Sequence, residues 1–278
     1  MKGTLAYEVL EIIKYWRNIA GIASVPAKIE KIKFGAHASQ YGLLCTPLEN
    51  PSPNRLVYYL HGGGWIFGNP GMFLANGYPF LEKGYAVFLP TYRKVPRFNY
   101  SHMKEDVSQS LIVLKERLEL EAKAEFAWMV GGMSAGANLA ANLSLEKNLL
   151  TKIGRPLDDF KGTFLCGPPV DLNFMNKSPV LRFFAGKSNS ALFKDANPVE
   201  KLKNGTNGPF FIIQGTKDGL VQWRNVVSFV KQFKETQDQE LKYKEMKNGT
   251  HLDAVAWTYK ESELRTELID WVTSKMEA

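Results

Sequence analysis

FAWMVGGMSAGANLAANLSLEK, residues 126–147, passes from an apolar run through a glycine-rich turn into a run rich in alanine and leucine. The first run predicts a buried strand, and the last predicts a helix that begins at the turn. The turn contains the pattern G-x-S-x-G, with Ser134 between Gly132 and Gly136. A serine on such a sharp strand-to-helix turn is typical of a nucleophile in acyl-transfer chemistry. The alternative is that Ser134 only caps the helix.

A serine hydroxyl needs a base to take its proton. In the strand–turn–helix arrangement the base is a histidine that follows the serine along the chain, and His251 is the only histidine after Ser134. It lies in the turn-rich loop KNGTHLDA (247–254), between the last predicted strand and the last predicted helix. We therefore predict that His251 is the general base. The alternative is an ordinary surface histidine.

An aspartate between the serine and the base in the chain is expected to orient the base. Asp218 closely follows the strongly apolar run PFFIIQG (209–215), and we predict that it has this role. Asp171, which follows GTFLCG (162–167), is the second choice, although a turn or capping role suits it better. The other aspartates in this interval are Asp158, Asp159, Asp195 and Asp238.

A second glycine cluster, HGGGW (61–65), follows the apolar run RLVYYL (55–60). Attack on an acyl carbonyl produces an oxyanion, which needs backbone N–H donors already in place. Gly63 and Gly64 can aim their N–H groups at it, and Ala135, the residue after the nucleophile, supplies another. We predict that these three residues form the oxyanion hole. A phosphate-binding loop is excluded because neither G-K-[ST] nor G-x-G-x-x-G occurs here.

Three side chains beside these motifs have predicted roles of their own. We expect His61 to brace the glycine loop through hydrogen bonds rather than to exchange protons. Trp65 is predicted to flank the acyl pocket and so to limit acyl length, with a packing role as the alternative. Met133 is predicted to contact the substrate.

Strands alternate with helices along most of the chain, which indicates a parallel sheet covered on both faces. Two β-like runs come first, KIEKIKF and YGLLCTP. The later predicted strands are residues 55–60, 85–90, 126–132, 162–167, 209–215 and 241–246. The predicted helices are residues 5–19, 72–83, 101–119, 134–147, 220–233 and 258–275. We expect residues 1–278 to form a single domain, with an N-terminal helix within residues 1–25.

Composition narrows the class of protein. The net charge of +7 is spread along the chain without a dense basic run, so no nucleic-acid partner is expected. The two cysteines stand in no metal-binding pattern, so neither a disulfide framework nor a metal site is expected. No apolar run approaches the roughly 20 residues that span a bilayer. With no signal peptide recognised either, we expect a cytoplasmic protein without a membrane partner.

Together, these motifs resemble the α/β-hydrolase superfamily, and within it the carboxylesterase and hormone-sensitive-lipase-like branch with its acetyl-esterase-like members. The matching elements occur in the family's order and are HGGGW (61–65), PTYRKVP (90–96), GMSAG (132–136), GTKDGLV (215–221) and GTH (249–251). The resemblance implies an α/β-hydrolase fold, with a mostly parallel central sheet, helices on both faces and a small cap. It assigns Tyr92, Arg93 and Pro96 to the scaffold only.

Two features depart from the family pattern. The elbow reads GMSAG where GDSAG is commoner in that branch. The family's cap is reduced to residues 167–208, which separate two predicted strands. Within them, LRFFAGKSNSALFKD (181–195) would either close over the pocket or pack as a loop.

The function that the resemblance implies is that of a serine hydrolase. It would cleave short-chain, acetyl-like carboxylic esters through an acyl-enzyme formed on Ser134, with His251 and Asp218 completing the triad. Neither a metal nor an organic cofactor is required, the partner is a small-molecule ester, and a homodimer is allowed. One alternative is an amidase, acting on small peptides or as an arylformamidase-like hydrolase. An alternative from another class is a non-catalytic binding protein of the same fold, although such proteins often lack a triad member.

Overall fold

The structure is a computed structural model, and it describes residues 1–119, 126–146 and 159–278. Its strands are β1 (Ala27–Lys33), β2 (Tyr41–Pro47), β3 (Ser52–Leu60), β4 (Tyr85–Pro90), β5 (Ala127–Met133), β6 (Phe160–Cys166), β7 (Phe210–Gly215) and β8 (Leu241–Met246). They form one sheet in the order β1-β2-β4-β3-β5-β6-β7-β8. The pairs β1–β2 and β2–β4 are antiparallel and all the others are parallel. The predicted α/β-hydrolase fold with a mostly parallel sheet is confirmed.

The described helices are α1 (Leu5–Ala20), α2 (Tyr78–Leu81), α3 (Tyr100–Glu119), α4 (Ala135–Ser144), α5 (Pro179–Ala185), α6 (Ala191–Ala196), α7 (Trp223–Thr236) and α8 (Glu263–Glu277). Short 3₁₀ helices occupy Pro70–Gly77, Leu172–Phe174, Pro198–Asn204 and Asp253–Thr258. None of the helices in the described ranges is long and apolar enough to cross a membrane.

The helices cover both faces of the sheet, and a separate apolar cluster fills each interface. Residues of α3, α4, α5, α6 and α7 share one cluster, whereas residues of α1, α2 and α8 share the other. Successive side chains of a strand point to opposite faces. Along β3, Tyr58 and Leu60 accordingly belong to the first cluster, and Val57 and Tyr59 to the second. Every residue of β4, β5 and β7 is buried, which explains why these runs are almost entirely apolar, with Gln214 of β7 as the exception.

Two predicted helices differ from the structure for local reasons. The segment predicted as one helix over residues 72–83 is a 3₁₀ helix, Pro70–Gly77, followed by the four-residue α2. Pro79 stands at the start of α2, and its ring allows no longer α-helix to pass through that point. The last helix begins at Glu263 rather than at residue 258, because the Ser262 side chain caps it by accepting from the Arg265 N–H at 3.3 Å.

Candidate active site

Ser134 lies between the end of β5 and the start of α4, with φ 51° and ψ −122°. A left-handed φ of this kind is rare for a residue other than glycine and is often found where function requires it. A Cβ on Gly136 would collide with the carbonyl oxygen of Leu60, so glycine is required two residues after Ser134. The Ser134 side chain makes no capping hydrogen bond to α4. The hydroxyl therefore does not stabilise the start of the helix, and Ser134 lines a cavity that is described below.

His251 and Asp218 form a buried hydrogen-bonded pair, with His251 Nδ1 at 2.7 Å from Asp218 Oδ2. The other carboxylate oxygen of Asp218 accepts from the backbone N–H groups of Leu220 at 2.8 Å and Val221 at 2.7 Å. Oδ2 also accepts from Gln214 Nε2 at 3.0 Å. A carboxylate held on both oxygens stays in one orientation, so its imidazole partner is held as well.

The surroundings shift the pKa of His251 above its ordinary value. Burial alone lowers the pKa, but the charge of Asp218, its hydrogen bond and the charge of Glu8 together outweigh burial. The imidazolium form is therefore favoured in this site relative to water. That is the form a general base takes once it has accepted a proton.

Glu8 of α1 is a buried residue at this site that could not be selected from sequence patterns. Its Oε1 accepts from the backbone N–H groups of Gly219 at 2.9 Å and His251 at 3.1 Å. No chemical motif surrounds this glutamate, and the spacing of apolar residues in α1 assigns it to a polar face. The contacts of Glu8 become apparent only when α1 is placed against the loops that follow β7 and β8.

The glycine loop after β3 faces the same cavity as Ser134. Gly63 has φ 117° and Gly64 has φ 60°, both in the left-handed region. A Cβ on Gly63 would collide with the carbonyl oxygen of Phe67, so the tight turn requires glycine here. Ala135 is the first residue of α4, and the N–H of a first helical residue has no acceptor within its own helix. Gly63 and Gly64 thus line the same cavity as Ser134, and Ala135 follows Ser134 directly in the chain.

His61 supports the glycine loop from beneath and is fully buried. Its Nδ1 lies 2.7 Å from the Gly62 carbonyl oxygen, and its Nε2 lies 3.0 Å from Thr91 Oγ1. The Tyr92 hydroxyl donates to the His61 carbonyl at 3.0 Å. Burial, with a contribution from the nearby Lys94 charge, lowers the pKa of His61 to about 3, so the ring is neutral. The bracing role predicted for His61 is confirmed.

A cavity of about 270 Å³ joins the candidate catalytic residues, since Ser134, His251, Gly63 and Gly64 all line it. Its remaining walls are apolar or aromatic and comprise Ile12, Tyr15, Trp16, Phe67, Phe73, Met133, Leu220 and Leu252. Met133 therefore lies where the sequence predicts a substrate contact. Among the described hydrogen bonds none joins Ser134 Oγ to His251, and such contacts often tighten only when substrate binds.

Trp65 does not line this cavity, in contrast to the role predicted for it next to the acyl group. The residue has φ 61°, and its indole lies in the apolar cluster on the α3–α4 face, stacked on Phe184 at 3.9 Å between ring centroids. The left-handed turn at Trp65 directs the side chain into the core, so the packing alternative describes its position.

The segment at residues 167–208 also differs from the expected cap. Phe184 and Phe193 are buried in the cluster that covers α3 and α4, and no described residue of the segment lines the cavity. Of the two alternatives for residues 181–195, the packed one matches the structure. The wall over the cavity comes instead from α1 through Ile12, Tyr15 and Trp16.

The second-choice carboxylate, Asp171, has a structural role. It caps the 3₁₀ helix Leu172–Phe174 by accepting from the Asn173 N–H at 3.1 Å, and its other oxygen accepts from the Ser228 hydroxyl at 2.7 Å. The turn role favoured for it is confirmed. Asp158, another aspartate considered from the sequence, lies outside the described residues.

Comparison with known proteins places the chain in a family. A family model described as BD-FAE matches residues 44–233, which include HGGGW, GMSAG and Asp218 but not His251. An esterase from Fusarium pseudograminearum (strain CS3096) is 27% identical over 154 residues, covering 54% of this chain and 47% of the relative. Arylacetamide deacetylase from Bos taurus is 30% identical over 106 residues, covering 35% of this chain and 26% of the relative. The chain thus spans about half or less of these curated relatives.

Solved structures are similar over nearly the whole chain. Esterase B from Lactobacillus rhamnosis superposes with a TM-score of 0.77 at 20% identity, covering 98% of this chain and 94% of that one. Esterase B has also been solved as a complex inhibited by a C4-C4 tributyrin phosphonate. A truncated carbohydrate esterase from gut microbiota has a TM-score of 0.80 at 13% identity, covering 92% and 99% of the two chains. At these identities the likeness establishes the fold.

Proposed function

Because this chain belongs to the BD-FAE family of α/β-hydrolases, we propose that it is a serine hydrolase that cleaves small carboxylic esters through an acyl-enzyme. One observation carries the proposal. Ser134 and His251 line a single cavity, and His251 Nδ1 is bound to the buried Asp218 carboxylate at 2.7 Å. Similarity to an esterase over about half of the chain supports the same class of reaction.

The proposed reaction begins with transfer of the Ser134 hydroxyl proton to His251 while Ser134 Oγ bonds to the ester carbonyl carbon. Asp218 accepts from Nδ1–H, which leaves Nε2 as the nitrogen that takes the proton. The N–H groups of Gly63, Gly64 and Ala135 stabilise the oxyanion. When the tetrahedral intermediate collapses, the C–O bond to the alcohol breaks and His251 returns the proton to the leaving oxygen. Water then repeats both steps on the acyl-enzyme and restores Ser134.

The cavity supports a short acyl group as the substrate preference. A volume of about 270 Å³ is below the range of about 300–1,000 Å³ that is usual for drug-sized ligands. A longer acyl chain would have to bend or remain exposed, which would displace its carbonyl from Ser134. Displacement by about 1 Å can cost roughly 10²-fold in rate. Esterase B, a protein of the same fold, has been solved with both C4-C4 and C6-C4 inhibitors, which are short-chain groups as well.

Amide hydrolysis is the second candidate, because the chain resembles an arylacetamide deacetylase over about a third of its length. The same triad and oxyanion hole suit an acetamide, whose leaving amine would take the proton from His251. Matched p-nitrophenyl acetate and p-nitroacetanilide separate the two. We expect the ester to be cleaved with the higher kcat/KM, and a preference for the anilide would make the amidase the principal activity.

The central experiment combines covalent labelling with a chain-length series. We expect a fluorophosphonate probe to label the wild type once, and Ser134→Ala to abolish labelling and reduce kcat by about 10⁴-fold or more. Ser101→Ala, at an exposed serine, is the control and should change neither result. On p-nitrophenyl esters from acetyl to dodecanoyl, kcat/KM should peak between acetyl and butyryl. Labelling that persists in Ser134→Ala, or an optimum at decanoyl or beyond, would contradict the proposal.

A further inference from the structure

The Glu8 carboxylate is buried beside the candidate triad and is not accounted for by the reaction described above. It is fully inaccessible to solvent, although it belongs to a helix with several exposed side chains. Oε1 receives two backbone N–H groups, whereas Oε2 is buried without a hydrogen-bond partner among the described residues. A buried carboxylate with an unsatisfied oxygen is costly. The cost of burying the Glu8 carboxylate therefore implies that its contacts contribute to the candidate site.

The two N–H groups that Glu8 accepts come from different loops of the site. One is the N–H of Gly219, directly after Asp218, and the other is the N–H of His251 itself. The acid loop follows β7 and the base loop follows β8. A single carboxylate oxygen therefore joins the two loops and limits how far the imidazole can move from Asp218. The packing is close, because a Cβ on Gly219 would lie 2.8 Å from the Thr4 backbone.

The charge of Glu8 also acts on His251. The charged groups that face Glu8 are Asp218 and His251, and those that face His251 are Asp218 and Glu8. Burial raises the pKa of Glu8, whereas the two N–H groups and the His251 charge lower it and Asp218 raises it further. When His251 becomes an imidazolium during the attack, a second carboxylate beside Asp218 stabilises that charge. Glu8 is therefore placed to affect both the position and the basicity of the ring.

We propose that Glu8 is a positioning residue for His251, which ties the base loop to the acid loop through two backbone N–H groups and adds a second negative charge beside the imidazole. As a residue for catalysis it rests on the serine-hydrolase function proposed above. Its coupling to His251 is a property of the folded protein and can be measured without turnover.

The test uses Glu8→Gln, which keeps a carbonyl acceptor for the two N–H groups and removes the charge. Protein labelled with ¹³C-histidine is titrated by NMR, and His251→Asn identifies the His251 signal among the four histidines. We expect the pKa of His251 to fall by about 0.3–1 unit in Glu8→Gln. On p-nitrophenyl acetate we expect kcat to fall about two- to tenfold, with KM changed by less than about twofold, because the charge acts on the imidazolium of the transition state.

Two further variants separate the effect of the Glu8 charge from the effect of its side-chain length and from the effect of any substitution in α1. Glu8→Asp keeps the charge on a shorter side chain, so the pKa of His251 should stay closer to the wild type than in Glu8→Gln while kcat still falls. Glu11→Gln, on the next turn of α1, removes a glutamate that forms an ion pair with Lys14 at 3.5 Å, and it should change neither quantity. If Glu8→Gln fails to fold, kcat of Glu8→Asp is compared with kcat of Glu11→Gln, and equal values in these two variants would overturn the role of Glu8.

The outcomes distinguish this inference from the proposed function. An unchanged His251 pKa in Glu8→Gln, or an equal change in Glu11→Gln, would overturn the role of Glu8. If the wild type neither cleaves esters nor reacts with fluorophosphonate, the proposed function fails. A fall of the His251 pKa in Glu8→Gln would then still establish the coupling between the two residues.

Discussion

His251 is held through atoms on both its ring and its backbone. Asp218 accepts from the ring at 2.7 Å, and Glu8 accepts from the backbone N–H at 3.1 Å. Asp218 is itself fixed by the N–H groups of Leu220 and Val221 and by Gln214. In the proposed reaction, an imidazole held at both ends would not need to search for its orientation, which would lower the entropic cost of reaching the transition state.

At residue 218 we expect Asp218→Asn to leave the protein folded and to reduce kcat by about 10³–10⁴-fold. The amide can still accept from the Leu220 and Val221 N–H groups. It cannot stabilise the imidazolium, and its NH₂ group can favour the wrong histidine tautomer. The measurement is kcat on p-nitrophenyl acetate, with circular dichroism to confirm the fold.

The matched control is Asp171→Asn, because Asp171 is also a buried aspartate held by side-chain and backbone donors. We expect its kcat to stay within about twofold of the wild type, since no described contact links it to His251. A larger loss in Asp171→Asn than in Asp218→Asn would mean that the acid has been assigned to the wrong loop.

Several residues of the candidate site could be predicted from the sequence, because their proposed roles require an unusual backbone conformation directly after an apolar strand. Ser134 and Gly63 are of this kind, and both have positive φ. The role of Glu8 could not be predicted, since it depends on a contact between residues 243 positions apart. The prediction that Trp65 flanks the acyl pocket was wrong for a local reason. Trp65 follows Gly64 in the sequence, but its left-handed φ turns the ring away from the cavity.

Among the elements, α1 has the closest link to the site. The helical spacing of Leu5, Val9, Ile12, Trp16 and Ile19 predicts an amphipathic helix. Ile12, Trp16 and Ile19 pack against the apolar cluster as predicted, whereas Leu5 and Val9 are exposed. Glu8 also lies on the inward face, and hydrophobic periodicity could not place it there because its backbone donors come from distant loops.

For helix α1, we expect Trp16→Ala to move the acyl-chain preference of the proposed activity toward longer chains. Trp16 lines the cavity and packs edge-on against Phe73 at 5.2 Å between ring centroids, so truncation enlarges the space beside Ser134. Each additional buried CH₂ contributes about 0.8 kcal/mol, or roughly fourfold in kcat/KM. The optimum should shift from acetyl or butyryl to hexanoyl or octanoyl in a p-nitrophenyl ester series.

Trp65→Ala is the contrasting variant, because Trp65 is stacked on Phe184 in the opposite apolar cluster. It should lose about 3–5 kcal/mol of unfolding free energy and keep the acyl optimum of the wild type. If Trp65→Ala changed the optimum and Trp16→Ala did not, α1 would not form the acyl wall.

The strands were the elements that the sequence predicted best. The bounds of β4 and β8 agree with the predicted residues 85–90 and 241–246. Turn-forming residues stand beside both strands, with Gly84 before β4 and Asn248 and Gly249 after β8, so their limits are visible in the sequence although β8 is only partly buried. Helix limits depend more on caps and prolines, and this is why the segments around Pro79 and Ser262 differ from prediction.

Over the whole molecule, the parallel sheet brings the candidate site together. The residues after β3, β5, β7 and β8 meet at one edge because the carboxyl ends of parallel strands share that edge. Gly63, Ser134, Asp218 and His251 follow these four strands in turn. The order of strands, rather than proximity in sequence, therefore determines which loops supply the chemistry.

The pKa of His251 also predicts how stability of the whole protein varies with pH. Burial lowers this pKa, but Asp218 and Glu8 raise it above its ordinary value, so the folded protein binds the proton more tightly than the unfolded chain. This contribution is fully present below about pH 6.5 and is lost as pH rises through the folded-state pKa. We expect the unfolding free energy of the wild type relative to His251→Asn to be larger near pH 5.5 than near pH 8.5.

Urea unfolding of both proteins at the two pH values gives the measurement. Ser101→Ala, at an exposed serine that does not titrate, is the control and should show the same difference from the wild type at both pH values. If the difference in unfolding free energy between the wild type and His251→Asn were larger near pH 8.5 than near pH 5.5, the predicted direction would be wrong.

The hydrogen bond between Glu8 and the His251 N–H has a consequence for synthesis of the chain. A ribosome synthesises residue 8 before residue 251, which follows 243 positions later. Until residue 251 emerges, Glu8 lacks its link to that loop, and Ser134 lacks the base that the proposed reaction assigns to it. A truncated chain that ends before residue 251 is therefore expected to show no ester hydrolysis under the proposed mechanism.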